Sequence, residues 1–351
     1  MRPARSLVLT AAAAAVVAAG CSGGGNSGSA DNAGIRGMLD RLPAAGDSRT
    51  GQVIVDLYAD AAKAGPVAVP KPGASPKDVQ RYGLALSKAP IAVGGSSLFQ
   101  ELTVYGQNSR KLNGFDLSNI TADACISDPP EAFVAARGEF DSASVDHALR
   151  DEPAWKSELT VQKHDGTTVL RWGKDNVVDI KKVRTGIFTS IGRSRRIALP
   201  DDHTFLYSPT DAGISALLDK GKTLADLAPY RSAADVLDDQ HAYSAIFLHR
   251  SPATQALGDE ELLAVGVNRS SVLVVVVSPD ADAAKTATQR LRATMKNGRT
   301  RYGMDWSELV GSPKITTTGN VTTMTVTSGK VRPRWFTLPQ EQLFTTDSPP
   351  R

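Results

Sequence analysis

The sequence predicts an α+β fold, with antiparallel sheets that carry helices on one face. Paired apolar runs flank three turn signals, at Asp165-Gly166, Asn268-Arg269 and Gly319-Asn320. Such dipeptides between apolar runs favour β-hairpins and therefore antiparallel pairing. Helical segments follow two acidic caps, Asp141 and Asp280. Hairpins combined with capped helices are typical of the α+β class.

The order of these elements indicates a duplication. Residues 132–172 run strand, helix and hairpin, and residues 272–327 repeat that order with a longer loop before the hairpin. The repetition favours a duplicated βαββ unit, which is ferredoxin-like, and hence two sheets. The alternative is a chance recurrence of common supersecondary pieces.

The individual elements follow from apolar periodicity and from capping signals. Helices are predicted at residues 52–64, 78–87, 142–150, 211–219 and 280–296. Strands are predicted at residues 132–139, 159–163, 167–172, 204–207, 242–248, 262–267, 271–277, 314–318 and 321–327. Residues 65–76 form a proline-rich connector, and residues 88–126 receive no assignment.

The N-terminus carries the strongest functional signal. Arg2 and Arg5 precede a thirteen-residue apolar stretch, residues 7–19, which is shorter than the roughly 20 residues that span a bilayer. This pattern predicts a signal peptide over residues 1–20. Its end, Ala18-Ala19-Gly20-Cys21, resembles the bacterial lipobox. The resemblance implies that Cys21 receives a diacylglyceryl group, that cleavage occurs before it, and that the new amino terminus is acylated. The alternative is an ordinary secretory cleavage site.

A flexible tether is predicted after the anchor. Residues 22–34 contain no large apolar side chain, and glycine- and serine-rich chains behave as coils with a reach of about 20 Å at this length. The predicted divisions are the signal peptide at 1–20, the lipidated cysteine and tether at 21–50, a helical and proline-rich region at 51–126, a first α+β domain at 127–240, a second at 241–338, and a disordered tail at 339–351.

One short segment adds a family resemblance. The RGEFD sequence at residues 137–141 lies at a strand-to-helix corner. Together with the lipobox it resembles the secreted actinobacterial lipoproteins of unknown function, over residues 131–248 at most. The resemblance implies an extracytoplasmic lipoprotein and brings no assigned catalytic residues.

Composition and motifs exclude several classes. The chain has 40 basic and 37 acidic residues, and loss of Arg2 and Arg5 leaves 38 basic ones, so nucleic acid is not an expected partner. The sequence contains no zincin, P-loop or nucleophile-elbow motif, and no cofactor, catalytic or metal residue is assigned. Asp201-Asp202-His203 is interpreted as a solvated turn. With Cys21 committed to lipid, Cys125 has no partner within the chain, and it is interpreted as buried and inert or, alternatively, as reactive.

Charge is distributed unevenly along the chain. Residues 181–196 hold six basic and no acidic side chains, residues 285–301 repeat that count, and residues 201–262 hold eleven acidic against four basic ones. The candidate contacts for an anionic surface are Lys181, Lys182, Arg184, Arg193, Arg195 and Arg196. One interpretation is a basic face toward headgroups or cell-wall polymers. The other is two solvated surfaces that pair with the acidic middle of the chain.

These observations predict a membrane-anchored, extracytoplasmic and non-catalytic lipoprotein on the outer face of the cell membrane. It would bind an envelope component, either lipid, cell-wall polymer or a protein partner. One alternative is the solute-binding lipoprotein of a transporter, which would show regularly alternating βα units. A cell-envelope hydrolase is the other alternative, and it would need a polar cluster in a deep pocket.

Overall fold

A single antiparallel sheet of twelve strands runs through the described part of the chain in the computed structural model. The structure describes residues 34–44, 51–88, 90–104, 108–128, 131–151, 156–183, 187–188, 192–219, 221–249, 261–300, 302–327 and 329–340. The strands are β1 (Gln52–Leu57), β2 (Ile120–Asp128), β3 (Glu131–Gly138), β4 (Thr160–His164), β5 (Thr167–Trp172), β6 (Arg195–Asp201), β7 (Thr204–Ser208), β8 (Ser244–His249), β9 (Leu262–Val267), β10 (Val272–Val277), β11 (Lys314–Thr318) and β12 (Val321–Val326). The helices are α1 (Ile35–Leu39), α2 (Tyr58–Ala64), α3 (Pro76–Leu86), α4 (Ser97–Val104), α5 (Ser109–Asn113), α6 (Ser142–Arg150), α7 (Asp211–Leu218), α8 (Ala228–Asp239), α9 (Ala281–Asn297) and α10 (Trp306–Val310).

The α+β class is confirmed, but the strands form one sheet and not two. Their order is β11-β12-β10-β9-β8-β1-β2-β3-β7-β6-β5-β4. β1 joins the two halves because it pairs with β8 on one side and with β2 on the other. β2 spans the predicted domain boundary at residue 126. The sheet is also continuous across the predicted domain boundary at residue 240.

Each half of the sheet contains a related connection. α9 follows β10 and leads to the hairpin β11-β12, which returns to pair with β10. α6 follows β3 and leads to four strands, β4 to β7, of which the last returns to pair with β3. The second connection has two more strands than a βαββ unit. The duplication therefore stays a prediction.

Helices cover both faces of the sheet, and the prediction of helices on one face was wrong. Antiparallel partners point to the same side, so Val55, Ala245 and Gly266 share one face. A Cβ on Gly266 would meet Leu237 of α8, which places α8 there. Thr322 of β12 points to the other face and lies 2.9 Å from Thr288 of α9. Because both faces are covered, β9 and β10 are buried at every position, which explains the unbroken apolar run of β10.

Two N-terminal predictions were wrong for physical reasons. Residues 52–64 are not one helix, because the β-branched run that begins at Val53 forms the central strand β1, and α2 begins only at Tyr58. The predicted tether ends earlier than residue 50. Residues 35–39 form α1, whose buried Ile35, Met38 and Leu39 follow helical spacing and join the core.

The turn and cap signals predicted local structure accurately. Asp165 and Gly166 form the β4-β5 turn with φ of 46° and 86°, as a tight hairpin turn of this kind requires. Asp141 is the N-cap of α6 and accepts hydrogen bonds from the backbone N–H groups of Ala143 and Ser144. The hairpins β9-β10 and β11-β12 lie where their turn signals predicted. Local signals were reliable because they depend on few neighbours.

Candidate functional site: the basic segment and its apolar loop

The predicted basic segment, residues 181–196, begins with exposed residues and ends with buried ones. Its last two arginines begin β6, and each side chain is only 1 % exposed. Arg195 stacks its guanidinium 4.4 Å from the ring centre of Trp172 and donates a 3.1 Å hydrogen bond to the Ile187 carbonyl. Arg195 is therefore part of the core, and its prediction as an anionic-surface contact was wrong.

Arg196 is held by acidic partners. Its Nε lies 2.7 Å from Asp211 Oδ1, and its terminal nitrogen lies 3.3 Å from Asp175 Oδ1. Arg171 also contacts Asp211. Partial burial raises the pKa of the Asp211 carboxyl, but the hydrogen bonds and charges of the two arginines outweigh it and hold the pKa below its ordinary value. The prediction of Arg196 as a surface contact was therefore also wrong.

The other four predicted contacts have different surroundings. Arg193 donates a 2.9 Å hydrogen bond to Asn176 Oδ1. Lys182 is partly buried and forms an ion pair with Glu158, whereas Lys181 is exposed. Arg184 lies outside the described residues.

Residues 177–183 form an exposed loop that contains both apolar and basic side chains, and we call it the apolar loop. It leads from β5 toward the buried arginines of β6. The exposed fractions of its aliphatic side chains are 46 % for Val177, 49 % for Val178, 80 % for Ile180 and 42 % for Val183. Lys181 and Lys182 lie between the last two of these side chains.

Backbone hydrogen bonds fix the conformation of the apolar loop. The N–H of Asp179 donates to the Gly192 carbonyl at 2.8 Å, and the N–H of Ser194 donates to the Val177 carbonyl at 2.8 Å. Asp179 caps the short 3₁₀ turn Ile180–Lys182, since its Oδ1 accepts the Lys181 N–H at 3.0 Å. Gly192 has φ of 69°, and a Cβ there would lie 2.0 Å from the Asp179 carbonyl oxygen. The aliphatic side chains are thus exposed on an ordered backbone.

Charge counts along the sequence do not reveal this loop. Four branched aliphatic residues occur within seven positions, with the lysines between them. That density of β-branched residues without period-2 alternation, beside a glycine-containing segment, is a signal that sequence reasoning could have used.

The two basic stretches lie far apart along the sheet. Most of residues 285–301 belong to α9, which packs on β10, β11 and β12, whereas Arg195 and Arg196 lie in β6. β12 and β6 are eight strand positions apart, which is about 38 Å along the sheet at about 4.8 Å per strand. This separation exceeds a Debye length of about 8 Å, so the two stretches do not form one basic face.

A buried pair of acids lies at the centre of the sheet. Asp56 of β1 faces Asp123 of β2 as its register partner, and both are fully buried. The N–H groups of Gly94, Gly95 and Ser96 donate to the Asp56 carboxylate at 2.9, 3.0 and 3.1 Å. Four donors, including the Ser244 hydroxyl, therefore surround one carboxylate.

The second acid of this pair has fewer donors. The Ser96 hydroxyl donates to Asp123 Oδ2 at 2.5 Å, and Tyr58 lies 3.3 Å from the same hydroxyl. Burial, together with the nearby charge of Asp56, raises the pKa of Asp123 well above its ordinary value. Burial also raises the pKa of Asp56, but its four donors oppose that change. Burial and the neighbouring charge thus favour the protonated form of Asp123, and we regard the pair as structural because both carboxyls are buried.

Three further groups were singled out by their chemistry. Burial raises the pKa of Cys125 to about 12, so its thiol stays protonated, as the inert interpretation requires. His203 lies in the turn between β6 and β7, where its N–H donates to Asp201 Oδ1, which agrees with the predicted turn. His164, Asp165 and Asp219 bring one potential ligand atom each within 4.8 Å, but the hydrogen bond of His164 to Asp219 accounts for that approach and we assign no metal.

Comparisons with known proteins identify no family for this chain. No protein-family model and no curated protein sequence matches it. Among solved structures it is similar to crystal form III of TP0453, with a TM-score of 0.41 and 8% identity over 86% of this chain and 98% of that one. Crystal form I of TP0453 gives a TM-score of 0.40 and 9% identity over 88% and 98% of the two chains. Similarity at this level does not establish a shared fold or function. Among the described residues, no helix combines the length and apolarity needed to cross a bilayer.

Proposed function

We propose that this protein is a membrane-anchored, extracytoplasmic lipoprotein that binds an envelope component and has no catalytic role. Cys21 would carry the lipid, in the lipobox-like segment that follows the predicted signal peptide. Cys21 and residues 22–33 lie outside the described residues, so this part of the proposal depends on sequence alone.

The observation that carries the binding role is the apolar loop. Soluble proteins rarely keep several large apolar side chains exposed together on an ordered segment unless the segment contacts a partner. Here four aliphatic side chains extend from a backbone that hydrogen bonds hold in place. The groups with the greatest potential for chemistry are used structurally, since the acid pair is fully buried and Asp211 pairs with arginines. This arrangement supports binding at the surface over catalysis.

The anchor is tested by the intact mass of the protein after extraction from the membranes of its native host. We expect a mature chain that begins at Cys21 and carries the mass of a diacylglyceryl group and an acyl group. Cys21→Ser should leave an uncleaved or soluble product. A membrane-extracted protein with an unmodified cysteine at its mature start would overturn the anchoring part of the proposal.

A further inference from the structure

The apolar loop carries two kinds of side chain that bind an anionic membrane surface, exposed aliphatic groups and lysines. Ile180 is 80 % exposed, and three valines with 42–49 % exposure lie within three residues of it in the sequence. Aliphatic side chains at a loop tip can enter the boundary between headgroups and acyl chains, while neighbouring lysines remain at headgroup level.

The charge around this loop favours an anionic partner over a neutral one. Residues 171–196 contain eight basic and two acidic side chains. Two acids from elsewhere, Glu158 and Asp211, pair with this segment through Lys182 and Arg196. The segment itself holds six more basic than acidic side chains, and several of these pair with acids from other parts of the chain. Their field acts within a Debye length of about 8 Å and attracts anionic lipid, even where a guanidinium is buried.

The structure also reduces the cost of binding. Two backbone hydrogen bonds already hold the apolar loop in place, from Asp179 to Gly192 and from Ser194 to Val177. Insertion would therefore not have to order a flexible segment, which is a major cost of association.

From these observations we propose that the apolar loop docks the folded body on an anionic lipid bilayer. The proposal rests on the proposed function, because it identifies lipid as the envelope component. The occupant is the bilayer surface: its headgroups would contact the exposed Lys181, and its outer acyl region would receive Ile180 and the neighbouring valines.

The test uses the chain from residue 22 onward, without lipid. All described core residues, from Ile35 to Leu338, remain in this chain. A fluorophore sensitive to polarity is attached to Ile180→Cys, and in a control to Val69→Cys. The other thiol, Cys125, is buried. Both labelled chains are mixed with vesicles of phosphatidylcholine alone or of phosphatidylcholine with equimolar phosphatidylglycerol, in low and in high salt.

We expect a blue shift at position 180 with the anionic vesicles, reversed by high salt, and none at position 69. Co-sedimentation then compares two matched substitutions, Val178→Asp and Val69→Asp, whose original side chains are 49 % and 51 % exposed. The first should weaken vesicle binding by about tenfold or more, and the second should leave it unchanged. Circular dichroism verifies that each variant is folded.

Three results would overturn the docking proposal: no binding to either vesicle, equal loss of binding in both variants, or binding without a spectral change at position 180. None of them bears on lipidation, because the chain tested has no Cys21. Conversely, an unmodified Cys21 in the native host would leave a positive vesicle result intact. The two proposals can therefore fail separately.

Discussion

Replacing Asp123 by asparagine removes one acid of the buried pair and keeps an oxygen that can accept the Ser96 hydroxyl hydrogen bond. The raised pKa of Asp123 means that the folded chain holds a proton that the unfolded chain releases near an ordinary pKa of 3.8. The stability that this proton contributes is complete below that pH, and it is lost as the pH rises toward the raised pKa. The amide of the Asp123→Asn variant does not titrate, so the variant has no such loss.

The size of this effect follows from linkage. As the pH rises, a group with a raised pKa lowers the free energy of unfolding by about 1.4 kcal/mol for each pH unit between its unfolded and folded pKa values. We therefore expect Asp123→Asn to match the original chain near pH 4 and to become more stable than it as the pH rises to 7. Asp56→Asn should be destabilising at every pH. Three backbone N–H groups would lose an anionic acceptor, at about 1 kcal/mol each, or about 3 kcal/mol together.

The assay is urea denaturation of the original chain and both variants between pH 4 and pH 8, with the midpoint and the slope recorded at each pH. The difference between Asp123→Asn and the original chain reports the titration of the coupled acid pair, since titrations elsewhere in the chain are shared. The assignment of the proton would be refuted by the reverse pattern, in which Asp56→Asn gains stability with pH and Asp123→Asn loses about 3 kcal/mol. In that case the proton would reside on Asp56.

Three other predictions concern the segment below the apolar loop and the free thiol. Arg196→Met should lower the free energy of unfolding by about 2 kcal/mol, because Asp211 and Asp175 lose their shared cation, whereas Lys181→Gln should change it by under about 0.5 kcal/mol. Urea denaturation compares the two, and equal effects would contradict the structural role of Arg196. Gly192→Ala should disturb the loop and increase its proteolysis, since a Cβ there would clash with the Asp179 carbonyl at φ of 69°; an unchanged digestion pattern would argue against that geometry. Cys125 should react with a thiol reagent at pH 8 only on unfolding, because burial raises its pKa to about 12; rapid reaction of the folded chain would disprove burial.

Local signals in the sequence predicted more of this fold than global ones did. The Asp165-Gly166 turn and the Asp141 cap lie where predicted, because both depend on the backbone within a few residues. The sequence predicts one helix across β1 and α2 because α2 follows β1 directly, at Leu57, with no side-chain cap to mark the boundary. The number of sheets was also misjudged, since pairing of β1 with both β2 and β8 joins residues far apart in sequence.

The candidate site was predicted only in part, for a different reason. Six basic side chains were treated alike because their burial cannot be deduced from their spacing. The structure shows that Arg195 and Arg196 point into the core, where Trp172 and Asp211 receive them. A basic residue at the start of a strand is buried only when distant residues provide an aromatic ring or a carboxylate, and the linear sequence does not reveal those partners.

The arginines of the basic segment contact residues on both sides of the apolar loop. Left to itself, a segment with four aliphatic side chains would fold them back against the nearest apolar surface. Here Arg196 ties Asp175 at the start of the segment to the core, and Arg193 binds Asn176 beside it. Arg195 holds the carbonyl of Ile187 on the return side. Residues before and after the loop are thus attached to the folded body by guanidinium groups. Arg193, Arg195 and Arg196, which the sequence predicts as contacts, are therefore supports of this region, and the exposed aliphatic side chains are available to a partner.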